Sequence, residues 1–174
     1  MFQKFRSRLD DAKLFSKVAH QAIGQKRKYT GEEYWNHPYR VMLKVAEVTG
    51  DEDALIVALL HDTVEDTHIT FGDISEVFGS RVVLGVAALT DTPFVEGGPN
   101  RAARKALDRD RLASAEGWIQ TVKVADMIDN TKTIVEHDPN FAKVYLEEKR
   151  LLLDVLTQAD PGLIKQAKYH LTDS

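Results

Sequence analysis

The apolar run Ala54 to Leu60 stands between Asp51-Glu52-Asp53 and His61-Asp62-Thr63-Val64-Glu65-Asp66-Thr67. A helix made of that run has no polar face and must be covered on every side. The rest of the chain therefore has to supply a shell of packing partners. Apolar residues elsewhere recur at three- and four-residue spacing, and no stretch alternates convincingly enough for a strand. The class is all-α, a compact single-domain bundle of seven to nine helices over residues 1–174.

Local signals divide the shell. Leu9, Ala12, Leu14, Phe15, Val18, Ala19, Ala22 and Ile23 predict a first amphipathic helix that stops at Gly24, before the basic loop Gln25 to Gly31. His37-Pro38 opens a second helix through Val41, Leu43, Val45 and Val48 to Thr49-Gly50, and Asp51-Glu52-Asp53 suits the positive end of the third. Thr70-Phe71-Gly72-Asp73 reads as a capping-box variant, and Gly79-Ser80 as a stop followed by a new cap. Thr90 to Asn100 holds two Pro and two Gly and is expected to be a mobile loop. Helices are then expected over Arg101 to Ala115, Gly117 to Val135, Asn140 to Thr157, and after Asp160-Pro161-Gly162.

Composition excludes several function classes. With 23 Lys+Arg against 27 Asp+Glu the net charge is −4, which argues against sequence-blind nucleic-acid binding through clustered cations. With no Cys there are no disulfides and no thiol catalysis, so any metal is held by His and carboxylates. The start, Met1 to Arg6, is charged at once and leads to no apolar leader, and no run approaches a membrane span. A cytoplasmic protein with no membrane partner is the expectation.

The chemistry sits just beyond the buried run. If the third helix continues, His61 stacks with Glu65 and Asp62 with Asp66, setting four ionisable groups on one face. Three carboxylates at the end of a core helix repel one another and cost several kcal/mol each to bury uncompensated. A divalent cation resolves the conflict. His37 and Asp126, each a polar residue in an apolar setting, are candidates for further ligands. Mixed imidazole and carboxylate donors suit Mn, Fe, Co or Zn better than Ca or Mg.

His37-Pro38, His61-Asp62 and Asp126 together resemble the HD phosphohydrolase superfamily in order and spacing. The string His61 to Thr67 resembles the RelA/SpoT-type alarmone hydrolase domain in particular. Similar stretches are Arg27-Lys28 before Gly31-Glu32-Glu33-Tyr34, Phe71-Gly72-Asp73-Ile74 to Phe78-Gly79, and Ala125-Asp126 through Asn130-Thr131-Lys132-Thr133, so the likeness covers roughly residues 16–155. Within that family the chain is most similar to the stand-alone small alarmone hydrolases, the metazoan SpoT-like type among them.

The resemblance implies an all-helical fold, one Mn ion, and removal of the 3′-pyrophosphate from guanosine tetra- or pentaphosphate. It implies His37, His61, Asp62 and Asp126 as metal ligands and Glu65 and Asp66 as the pair that orients and deprotonates water. It further implies Asn130 and Thr133 at the ribose or metal shell, Arg27 and Lys28 against the guanine base, and Tyr145 in the same pocket. Two departures stand out. The loop Lys26 to Tyr34 is one residue longer than usual, and Met127-Ile128-Asp129 replaces the usual Arg-Leu-His after Asp126.

Alternatives remain at this level: the same chemistry on another nucleotide, such as the 2′-phosphate of NADPH, or a catalytically silent nucleotide-binding module. Arg101, Arg104, Lys105, Arg109 and Arg111 read as a solvated helix face with no assigned role. His20, His68, His137 and His170 are expected at the surface or at helix caps, and Trp35 and Trp118 in the core.

Overall fold

A computed structural model describes residues 7–172. The charged segment Met1 to Arg6, from which the lack of an apolar leader was inferred, lies outside the described residues. Among these, ten helical elements occur with no strand beyond an isolated bridge between Lys26 and Glu33. Nine are helices of eight residues or more and the tenth is a single turn, so the all-α expectation holds at its upper helix count. No helix among the described residues is long and apolar enough to cross a membrane. The chain forms two compact units, one running to Ala87 and the other from Ala88.

In the first unit, α3 (Glu52–Leu60) packs against α1 (Arg8–Ala22) and α2 (Asn36–Ala46). Ile56, Leu59 and Leu60 are fully enclosed, each stabilising the fold by about 1.5–3 kcal/mol. Asp51 caps α3 through the backbone N–H of Asp53. Arg81 grips Asp51 and Asp53, and Arg8 grips Glu52 and Asp53, so every member of the acidic triplet is ion-paired. The guanidinium of Arg81 holds the Asp51 carboxyl below its usual range.

The buried face of α1 differs from the one its large residues suggest. Leu14 and Val18 are 41% and 54% exposed, whereas Ala12, Ser16, Ala19 and His20 are buried. Small side chains let the helix backbones approach closely, and that stripe turns inward. His20 is thus not a surface or cap residue. Trp35 and Trp118 are half-buried instead of core: Lys17 lies over the Trp35 ring at 4.8 Å, and the Trp118 indole N–H donates to Glu116 at 3.0 Å. An indole carries a polar edge that favours such boundary positions.

Beyond Leu60 the helix does not continue as one face. α3 ends, and a separate turn, α4 (Thr63–Asp66), follows His61 and Asp62. The Thr63 hydroxyl donates to the Leu60 carbonyl at 2.7 Å and His61 Nδ1 bonds the Ala58 carbonyl at 2.8 Å. Side chains thereby satisfy the helix-end acceptors and re-aim the backbone. Two helical bonds span this turn, from the Asp66 N–H to the Asp62 carbonyl and from the Thr67 N–H to the Thr63 carbonyl. α5 (Phe71–Phe78) begins with the full capping box of Thr70 and Asp73, and Gly79, at φ 88°, turns the chain into α6 (Ser80–Leu89).

The second unit is organised by α8 (Gly117–His137), buried without interruption from Ile119 to Ile128. It packs against α9 (Pro139–Val155) and α10 (Pro161–Thr172), while α7 (Arg101–Ala113) packs on α9. Gln120 donates to the carbonyls of Leu112 and Ala115 at the end of α7 and accepts from the N–H of Gln158. Residues 91–100 hold no regular element, as their Pro and Gly content predicts. Their first turn is tied to α7, because Asp108 accepts from both the backbone and hydroxyl of Thr92 while Arg111 reaches the Thr90 carbonyl.

Gly117 gives a direct test of this packing. A Cβ there would lie 2.5 Å from the Gln158 carbonyl oxygen, a backbone atom that cannot swing away. Alanine normally favours a helix over glycine, so Gly117→Ala would stabilise an open site. Here it is expected to destabilise by about 1–3 kcal/mol, read as a lower urea midpoint with unchanged slope.

Candidate functional site

In the first unit, three elements bring ionisable groups together. His37, in the first turn of α2, and His61, at the end of α3, are fully buried with ring centroids 5.3 Å apart. Both Nε2 atoms face the same carboxylate oxygen: Oδ2 of Asp62 is 3.6 Å from that of His37 and 3.2 Å from that of His61. The Nδ1–H of His61 is committed to the Ala58 carbonyl, which leaves Nε2 carrying the lone pair. Two imidazoles aimed at one carboxylate oxygen form a donor set that fits a divalent transition metal. A carbonyl held by the far ring nitrogen is the usual support of a ligating histidine.

The water-activating candidates follow in α4. Asp66 is half-buried, and burial together with the Asp62 charge pushes its carboxyl above the usual range. Gln25 donates to its Oδ2 at 2.9 Å. Glu65 is exposed. Tyr34, three residues before His37, donates its hydroxyl to Asp62 Oδ2 at 2.7 Å. Arg27 lies over the Tyr34 ring at 5.8 Å, whereas Lys28 is exposed and lies over Tyr29. The bridge between Lys26 and Glu33 and the left-handed turn at Gly31, φ 70°, form the loop that carries Arg27. Of the two basic candidates, Arg27 is the one stacked on the ring that reaches Asp62.

In the second unit, α8 presents Asp126, buried, with Asn130 donating to Oδ1 at 2.7 Å and Lys123 to Oδ2 at 3.0 Å. Lys123 is only 7% exposed, a charge kept inside by its carboxylate partner. Thr133 is half-buried, one turn past Asn130, and its carbonyl bonds the His137 ring. Tyr145 is buried, its hydroxyl 3.5 Å from that of Thr131 and its ring under the Lys149 ammonium. Burial, with Lys123 adding to it, pushes Lys149 down to about 8.

Several of these groups carried no sequence signal strong enough to pick out. Tyr34, Gln25 and His20 are scattered around a loop, and Lys123 and Lys149 look like ordinary surface lysines. The spacing of Lys123 to Asp126, i to i+3, was the one available cue.

Residues 15–149 match the HD domain, and the chain belongs to that family. Over 139 residues, 78% of this chain, it is 38% identical to the guanosine-3′,5′-bis(diphosphate) 3′-pyrophosphohydrolase of Aquifex aeolicus, of which the match spans 18%. Over 118 residues it is 35% identical to the guanosine-3′,5′-bis(diphosphate) 3′-pyrophosphohydrolase MESH1 of Drosophila melanogaster, covering 66% of this chain and 64% of that one. The chain thus spans under a fifth of the Aquifex relative and just under two thirds of the fly protein. Its fold is shared with the solved structure of a metazoan ortholog of SpoT that hydrolyses ppGpp. There the TM-score is 0.84 at 24% identity, over 99% of this chain and 98% of that one. It is shared also with lmo0812 of Listeria monocytogenes, with a TM-score of 0.67 at 23% identity over 82% and 96% of the two chains.

Proposed function

We propose that the chain works as a single HD phosphohydrolase domain. It removes the 3′-pyrophosphate of guanosine tetra- or pentaphosphate to give GDP or GTP and pyrophosphate. One Mn ion is held by the imidazoles of His37 and His61 and the carboxylate of Asp62, with Asp126 as the further ligand that the family resemblance implies. The observation that carries the reading is the convergence of His37 Nε2 and His61 Nε2 on Asp62 Oδ2, one turn before Glu65 and Asp66. The two relatives whose names specify a 3′-pyrophosphohydrolase support the substrate.

A bound divalent cation lowers the pKa of water and offsets phosphate charge. Glu65 and Asp66 take the proton from the attacking water as its oxygen bonds the phosphorus attached to ribose O3′. The P–O3′ bond breaks, O3′ takes up a proton, and pyrophosphate leaves. The raised carboxyl of Asp66 suits it to accept a proton near neutral pH. Arg27, paired already with an aromatic ring, presents a flat cation to the guanine, with Lys28 and Tyr145 the further candidates for the base. Asn130 and Thr133 serve the ribose and the setting of Asp126.

The test is chromatography of guanosine tetraphosphate incubated with metal-stripped protein, with and without Mn, beside NADPH and common nucleotides. Mn-dependent release of GDP and pyrophosphate is the expected result. Phosphate released from NADPH alone moves the substrate and keeps the site. Bound metal with no turnover on any nucleotide overturns the reading in favour of a binding module.

A further inference from the structure

The loop after α1 carries buried polar groups that the metal and its ligands leave unexplained. His20, in the last turn of α1, is 1% exposed. Its Nδ1 is 2.6 Å from Oε1 of Gln25, and Nε2 of Gln25 is 2.9 Å from Oδ2 of Asp66. Chemistry fixes the direction of both bonds. An amide nitrogen only donates, so the Gln25 N–H points at Asp66 and its carbonyl must accept from His20 Nδ1–H. His20 Nε2 meets no hydrogen-bond partner among the described residues, which agrees with the proton residing on Nδ1. The backbone repeats the tie, with the Gln25 N–H donating to the His20 carbonyl at 3.1 Å. The His20 ring packs at a tilt of 41° against Tyr34 with centroids 4.9 Å apart, and Tyr34 in turn holds Asp62.

We propose that His20 and Gln25 are positioning residues for Asp66. His20 orients the Gln25 amide, and the amide occupies Oδ2 of Asp66, so that Oδ1 is the oxygen that accepts the proton from water. This rests on the role of Asp66 given above. A carboxylate in a one-turn helix has few backbone constraints, and a buried imidazole bonded to a glutamine supplies the missing rigidity. The same amide, together with the Tyr34 hydroxyl, counters the burial and the Asp62 charge that act on Asp66. Burial also keeps His20 neutral, since its pKa is lowered despite the bond to Gln25. The relay therefore holds one proton pattern while the site turns over.

Gln25→Leu in the Mn-loaded protein is expected to lower kcat about 10- to 100-fold, with KM for guanosine tetraphosphate and bound Mn per chain unchanged. His20→Phe keeps the ring on Tyr34 and is expected to lose a similar factor. His20→Gln restores an N–H donor toward Gln25 and should recover most of it. A second readout needs neither metal nor substrate: 15N spectra of the metal-free chain should show His20 as the Nδ1–H tautomer, and Gln25→Leu should abolish that preference. Wild-type kcat in Gln25→Leu, a loss confined to KM or metal content, or an Nε2–H tautomer at His20 would each overturn the proposal. If Gln25→Leu fails to fold, the His20 variants and the wild-type tautomer decide. An inactive Asp66→Asn beside a fully active Gln25→Leu sinks the relay alone, whereas a fully active Asp66→Asn sinks the role of Asp66 itself.

Discussion

Replacing Glu65 and Asp66 together by Gln and Asn is expected to cut turnover of guanosine tetraphosphate by about 10²–10⁴-fold while leaving Mn content near that of the parent chain. The two amides keep the size of the carboxyls and one acceptor oxygen each, while they remove the charge and the capacity to accept a proton. None of His37, His61, Asp62 or Asp126 is touched, so metal binding stays. The two positions should contribute unequally. Asp66 is half-buried and held by Gln25, and burial sets its carboxyl above the usual range, closer to the pH at which it works. Glu65 is exposed, so its carboxyl is less enclosed by the site than that of Asp66. Asp66→Asn alone should therefore carry most of the loss and Glu65→Gln a minor part, compared as kcat under saturating substrate. A fully active double variant would show that neither side chain moves the proton.

The helical class and its punctuation were legible because they rest on local chemistry. Thr70 with Asp73, Asp51 before Glu52, and Gly79 at positive φ each act within one turn, so the residue types state the outcome. What escaped depended on tertiary choices. The apolar set of α1 included Leu14 and Val18 as well as Ala12 and Ala19, yet only the small members are buried, beside Ser16 and His20, while Leu14 and Val18 stay exposed. Hydrophobic periodicity weighs side chains by polarity and is blind to how closely two backbones can meet.

The site divides along the same line. His61-Asp62 and Glu65-Asp66 were conspicuous as charges after a core run, but their expected single face gave way to a break after Leu60. Thr63 and His61 bond the carbonyls of Leu60 and Ala58, a competition that spacing alone does not reveal. His20 went unrecognised for a related reason: a histidine at a helix end reads as a cap, and its burial follows from the loop folding back through Gln25 and Tyr34. Lys123 carried no cue beyond its spacing to Asp126. Its place beside Asp126 emerges only when the surrounding stretch of α8 is buried on all sides.

The metal itself should be separable from the fold. Asp62 accepts from the Tyr34 hydroxyl and lies near two imidazoles, and the core of α3 is built from Ile56, Leu59 and Leu60, which touch no ligand site. Chelation is therefore expected to abolish turnover and leave the helical circular dichroism intact. Adding Mn back should raise the unfolding free energy by about 2.7 kcal/mol when free Mn is 100 times its dissociation constant, since the ion binds the folded chain. His61→Ala separates these two effects. It removes an imidazole whose Nδ1–H satisfies the Ala58 carbonyl, so some stability goes, of the order of 1–3 kcal/mol. The decisive change is in linkage: the Mn-induced stabilisation should vanish together with turnover, while His137→Ala, at an exposed helix end, should preserve both. Urea midpoints with and without Mn read the outcome. An Mn shift that persists undiminished in His61→Ala would place the ion elsewhere in the chain.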